Sequence, residues 1–138
     1  MIIWLASYPK SGNTWVRLFL NSLLYEKEDK VDINNIQIQQ FPNKKHFVNI
    51  VDDLKDIKKT LNNSLNAQYK INLDNKVKIF KTHSALWKSE DSTFTNNDNT
   101  LGVIHIVRDP RNIITSIKNH YGKDNYKEAL NFMKDEKK

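Results

Sequence analysis

Residues 2–8 are rich in Ile, Trp, Leu and Ala, the pattern of a strand buried on both faces. A short loop over residues 8–13 follows. Trp15, Leu18, Phe19, Leu23 and Leu24 then recur at near-helical spacing with Arg17 and Asn21 between them, which predicts an amphipathic helix from Asn13 to Tyr25. The charged cluster Glu26-Lys27-Glu28-Asp29-Lys30 ends that unit, and residues 31–48 show too little periodicity for more than loop or short irregular elements. Between Asn49 and Leu65, the positions Ile50, Val51, Leu54, Ile57, Lys58 and Leu61 follow a helical repeat, so a second helix is expected, fraying at Asn62-Asn63. Val77–Lys81 reads as a second strand, Ser89–Thr100 as a polar surface loop, and Leu101–Val107 as a third strand interrupted only by Gly102 and His105. Asp109 can cap the next helix and Pro110 suits its first turn. Ile113, Ile114, Ile117 and Tyr121 form its apolar stripe, Gly122 stops it, and a last helix is expected from Asn125 to about Lys134.

The order β-α-α-β-β-α with apolar strands predicts an α/β sandwich around a largely parallel sheet. Three strands make a thin sheet with two edges to protect, which suggests a sheet incomplete toward the C-terminus. A chain of 138 residues fits one domain, and its 38% hydrophobic and 28% charged residues suit a globular one. No apolar stretch approaches the ~20 residues that span a bilayer, and Ile2–Ala6 lacks the basic flank of a signal peptide. With no cysteine, disulfides, thiol catalysis and cysteine-ligated zinc are excluded, and a reducing cytoplasm is the expected setting.

The net charge of +6 comes wholly from the middle of the chain. Residues 43–88 hold ten basic and four acidic side chains, against four of each before them and eight of each after. Such a surplus suits either a solvated lysine-rich surface or one that attracts an anion. Nucleic acid is not the expected partner, because the charge forms no arginine-rich arm or RNA-binding module.

The strongest chemical signal is Tyr8-Pro9-Lys10-Ser11-Gly12-Asn13-Thr14-Trp15, placed where the first strand turns into the first helix. Gly12 lets backbone amides approach an anion, and those amides with the helix dipole would cradle a phosphate. Lys10 adds a point charge, Ser11 and Thr14 offer hydroxyls, and Trp15 presents a flat face for a base. The lysine precedes the glycine, so this is not the Walker arrangement. Farther on, Arg108 at a strand end and Ser116 in the following helix could grip one phosphate; the same residues also read as a capped helix start with an ion pair. His83, in Phe80-Lys81-Thr82-His83, stands just past a strand end, where a side chain can reach a cleft above the sheet. His46 and His120 match no motif and are expected to be exposed, and His105 to lie within its strand.

The Tyr8–Trp15 segment resembles the loop of PAPS-dependent sulfotransferases that holds the 5′-phosphosulfate end of the cofactor. The Arg108–Ser116 segment is similar to that family's 3′-phosphate motif in residues and spacing, and Lys81-Thr82-His83 to the strand carrying its general base. The resemblance implies a three-layer, P-loop-like sandwich, with this chain its N-terminal, cofactor-binding portion over residues 1–138. It implies transfer of a sulfuryl group from PAPS to a hydroxyl or amine, with PAP released. Lys10, Ser11, Gly12, Asn13, Thr14, Trp15, Arg108 and Ser116 would bind the cofactor. His83 would be the base, Lys10 would neutralise the leaving oxygen, and Lys81 would support the sulfuryl oxygens. No metal is implied. The family's late Arg-Lys-Gly segment has no counterpart here, which leaves open a fragment or a short form of the domain.

Two other readings stay open beside the enzyme: a PAP- or nucleotide-binding domain without turnover, and a basic protein that binds polyanions through residues 43–88. The acceptor is expected to be a small molecule or carbohydrate, with residues 31–48 and 84–100 as candidates to line its pocket. An incomplete sheet would favour a homo-oligomer.

Overall fold

The computed structural model of the chain describes residues 1–25, 33, 35–84, 86, 88 and 92–135. The charged cluster at 26–30 and the start of the polar loop at 89–91 lie outside the described residues.

Strand β1 (Ile2–Ser7) is the centre of the molecule. It pairs in parallel with β3 (Lys78–Thr82) on one side and with β4 (Thr100–Ile106) on the other. A short strand β2 (Gln39–Gln40) adds to β3, giving a four-stranded all-parallel sheet in the order β2-β3-β1-β4. The α/β expectation holds, with one more strand than the sequence pattern revealed. Helix α1 (Asn13–Tyr25) follows β1, helices α2 (Ile57–Asn62) and α3 (Ser64–Asn72) precede β3, and α4 (Pro110–His120) and α5 (Tyr126–Lys134) follow β4. Among the described residues no helix is long and apolar enough to cross a membrane.

The main core lies on one face of the sheet, where Trp4 and Ile2 pack with Phe41, Phe47, Phe80 and Phe94. Trp4 is fully enclosed, and its indole N–H, which needs a partner once buried, donates to Thr100 Oγ1 at 2.9 Å. A second cluster joins Ile113 and Ile117 of α4 to Ala129 of α5. The predicted stripe of α4 is therefore the buried one, except that Tyr121 is exposed and lies against Phe132.

Several expectations need correction. The apolar stripe of α1 does not face the core: Trp15 is 82% and Phe19 66% exposed, whereas Asn13 and Asn21 are buried. Those amides anchor neighbouring chain, and Asn21 Oδ1 accepts from the backbone N–H of Gln37 (2.7 Å) and of Ile38 (3.3 Å). With Arg17 Nε donating to the Ile38 carbonyl at 2.6 Å, they lead the chain into β2 inside the presumed loop. The helix expected over 49–65 forms only at 57–62, as α2, and the polar stretch beyond Asn62-Asn63 holds a further helix, α3, that the sequence pattern did not predict. Asp52 and Asp53 take the backbone N–H groups of Asp53 and Lys55, holding turns where a helix was expected, and Asp56 caps α2 by accepting from Lys59 N. The third strand, β4, is largely exposed, because among the described residues it pairs only with β1.

His46 is not a surface side chain. Its ring stacks on Phe41 and meets the edge of Phe80, both with centroids 5.3 Å apart, and its Nδ1 is buried without a partner among the described residues. Burial, with Lys45 nearby, pushes its pKa down from 6.5 to about 4. The native fold thus keeps a neutral imidazole, while the unfolded chain takes up a proton between those two values. Stability is expected to fall as pH drops from about 6.5 toward 4 and to carry no such penalty above 6.5. Denaturant midpoints measured across this range should decline for the parent and decline less for His46→Phe.

Candidate active site

The loop between β1 and α1 is built from unusual backbone. Lys10 (φ 68°) and Gly12 (φ 96°) both occupy the left-handed region, and Ser11 N donates to the Tyr8 carbonyl at 3.2 Å to close the turn. Glycine adopts that conformation freely, but a lysine there is strained, and such strain collects at ligand sites. The first helical bonds of α1 run from Trp15 N and Val16 N to the Gly12 carbonyl, at 3.0 and 3.3 Å. The amides ahead of Trp15 therefore precede the ladder and, with the helix dipole, favour an anion. Ser11 is buried, and its hydroxyl has no partner among the described residues. Such a group is costly unless something fills its bonding capacity.

Two other strand ends meet this loop. Arg108, two residues beyond β4, extends Nη1 to the Lys10 carbonyl at 3.0 Å. Asp109 caps α4 by accepting from Arg111 N at 2.9 Å, and it pairs with the Arg111 guanidinium at 2.6 Å. The ion pair of this helix start is thus made by Arg111, and Arg108 is turned to the loop instead. His83 follows directly on β3. A cavity of about 450 Å³ is lined by Lys10, Gly12, Asn13, Thr14, Trp15, His83, Arg108 and Ser116, together with Pro9, His120 and Tyr121. Among the described residues it is lined by two fixed cations and no carboxylate, and neither cation belongs to the basic stretch 43–88. Its place is the carboxyl end of a parallel sheet, where the chain passes from one side of β1 to the other; open α/β sheets bind ligands at such a switch point.

His83 is oriented by backbone. Its Nδ1 lies 2.8 Å from the Ser7 carbonyl and 3.3 Å from Ser7 Oγ. A bare nitrogen would set its lone pair against the carbonyl's, so Nδ1 carries the proton and donates, and Nε2 keeps the free lone pair. Burial pushes the His83 pKa below the usual value, the Ser7 bond opposes that, and Lys81 adds to it. The ring is therefore a neutral, Nε2-basic imidazole at pH 7. It also borders a second cavity of about 430 Å³, lined largely by apolar groups that include Trp4, Leu86, Phe94 and Val103, with Thr82, Ser84 and Thr95. Part of the 84–100 stretch lines this cavity, while none of the described residues in 31–48 does.

Most of the site residues marked in the sequence thus converge on one cavity. Ser11 sits in the loop behind it. Lys81 stands apart: its Nζ donates to Gln40 Oε1 at 3.0 Å, and burial beside Arg17 lowers its pKa. Three features escaped the sequence reading. Ser7 holds the His83 ring, and the Asn13 side chain, beyond its backbone amide, is tied into β1. His120 is exposed as expected but lines the cavity one helical turn after Ser116; the i, i+4 spacing would have revealed it.

The family model described as sulfotransferase domain matches residues 2–136. The chain belongs to the sulfotransferase domain family. No curated protein and no solved structure was found to match it. The family is one associated with sulfuryl transfer in general, and the all-parallel sheet is consistent with its α/β sandwich.

A Cβ added at Gly12 would meet open space, so backbone strain alone opposes a side chain there. Gly12→Ala is expected to cost about 1–2 kcal/mol of stability, read as a lower denaturant midpoint at unchanged denaturant dependence.

Proposed function

We propose that this sulfotransferase-domain chain binds PAPS in the polar cavity at the Lys10 loop and transfers its sulfuryl group to an acceptor held in the adjoining apolar one. The observation that carries this reading is the meeting of Lys10, Thr14, Arg108, Ser116 and a neutral His83 around one cavity. The residues suit the cofactor. The unpartnered Ser11 hydroxyl and the amides ahead of α1 offer donors for a 5′-phosphate, and Arg108 with Ser116 for a 3′-phosphate. Trp15, exposed at the rim, offers a face for the adenine.

When bound, the cofactor supplies an activated sulfuryl group on a phosphate leaving group. The chain's own residues then have separable tasks. His83 Nε2 takes the proton from the acceptor hydroxyl or amine, its ring held by the Nδ1–H bond to Ser7. Lys10 stabilises charge that grows on the departing phosphate oxygen. The shared position of His83 between the two cavities would bring acceptor and donor to the same nitrogen. An acceptor with an apolar or aromatic body and one hydroxyl fits the second cavity better than a charged polysaccharide. The chain's lack of cysteine supports a cytoplasmic setting.

One observation favours a second reading, cofactor binding without turnover: Lys81 is engaged by Gln40 and does not line the cavity. Titration calorimetry with PAP and a sulfuryl-transfer assay separate the two readings. Arg108→Ala is expected to weaken PAP binding by about 10- to 100-fold, the worth of one or two charge-assisted hydrogen bonds; unchanged affinity would remove Arg108 from the site. His83→Ala should bind PAP and fail to transfer, and transfer at the parent rate would remove His83 as base. Because the deprotonated ring is the active form and its pKa is depressed, kcat/KM should fall on the acid side only below pH 6.5.

A further inference from the structure

We infer that Asn13 and Ser7 are positioning residues for His83, one hydrogen-bonded chain that ties the phosphate loop to the base; this rests on the reading of His83 given above. Asn13 is 4% and Ser7 6% exposed, so both are polar groups placed where only bonding justifies them. Asn13 Nδ2 donates to the Leu5 carbonyl at 3.1 Å and to Ser7 Oγ at 3.0 Å, one hydrogen to each. Its Oδ1 has no partner among the described residues. An amide buried with its acceptor end unused is kept for its donors. Ser7 in turn offers both its carbonyl and its hydroxyl oxygen to His83 Nδ1.

The residue types follow from this geometry. Two neutral donor hydrogens are needed at position 13, and asparagine supplies them. Aspartate of the same shape would turn lone pairs toward the Leu5 and Ser7 oxygens and place a negative charge at the helix start that faces the cavity. Threonine has a single donor and could satisfy one of the two acceptors. Since Asn13 directly follows Gly12, a shift of the loop backbone is carried through Ser7 to the imidazole, and the base is set by the same element that holds the phosphate.

The test reads the ring directly. In 15N-labelled full-length chain at pH 7, the two ring nitrogens of His83 are assigned by comparison with His83→Gln. In the parent the shifts are expected to report the Nδ1-protonated neutral tautomer. In Ser7→Ala the backbone carbonyl at position 7 remains, so the Nδ1-protonated form is expected to persist, while loss of the Oγ contact and of its Asn13 donor is expected to shift and broaden the ring signals. Asn13→Ala, which removes that donor, is expected to shift them as well, and Ser7→Thr, which keeps the hydroxyl, restores the parent pattern. Ser7→Ala should also lower kcat by at least about tenfold, part of the roughly 10²–10⁴ that acid–base catalysis contributes, with PAP affinity within about threefold of the parent. Asn13→Ala leaves a buried cavity and two unpaired acceptors; should it not fold, Ser7→Ala, one oxygen smaller, carries the test. Parent-like ring shifts and kcat in Ser7→Ala would overturn the inference. A His83→Ala chain that still transfers would overturn the base assignment instead, while the ring shifts would still decide whether Ser7 and Asn13 set the imidazole.

Discussion

Everything in this molecule depends on β1 being paired in parallel on both sides. Ala6 lies opposite Thr82, and Ser7 opposite Ile106, so the three strands end almost level. Parallel strands leave the sheet in the same direction, and the residues that follow, Tyr8, His83 and Val107-Arg108, emerge side by side. A one-residue slip would turn β3 over and point His83 away from the loop. What opposes the slip is the packing of Phe80 of β3 against the inaccessible Ile2 and Trp4, while the Trp4 indole is latched to Thr100 of β4 on the other side. The core and the site are therefore parts of one register.

Around that strand the chain makes unusual use of buried amides. Asn13 fixes the start of α1 to β1, and Asn21 gathers the segment that becomes β2. Gln68, fully enclosed, donates to the Phe94 carbonyl at 2.6 Å and accepts from Thr95 Oγ1 at 2.6 Å. Each such group would be costly if left unpaired, so each specifies one arrangement of its neighbours. The large side chains of α1, by contrast, stay exposed. Polar contacts do on that helix what apolar packing does on α4.

This division explains what could be read from the sequence. The apolar strands, the glycine-bearing loop, the Asp109-Pro110 helix start and the α4 stripe each follow local rules, and the structure repeats them closely. The second strand could not be read, because Gln39 and Gln40 carry no apolar signal and are held by side chains from α1. The helix expected over 49–65 is shortened to α2 because an apolar period says nothing of Asp52 and Asp53, whose side chains take backbone amides ahead of it, and α3 went unread because its stretch is polar. His46 and Phe41 meet only through the fold. In the site, the motifs named the groups that bear charge or protons, and the structure supplied their orientation. Ser7 and the Asn13 side chain belong to that second kind of information, since a serine before a tyrosine has no signature until its carbonyl is seen under an imidazole.

The electrostatics join these levels. Fixed cations face the cavity from Lys10 and Arg108, and Lys81 lies close enough to His83 to discourage its protonation. Burial is the main cause that keeps the imidazole uncharged, with Lys81 adding to it, whereas Lys10 and Arg108 supply the charge that attracts an anion. An anion held by Lys10 and Arg108, in the cavity that His83 also lines, would favour a proton on Nε2. The base would then become a stronger proton acceptor at the stage when an acceptor hydroxyl is to be deprotonated. Anion binding would therefore raise the basicity of a ring that the Asn13–Ser7 chain keeps in place.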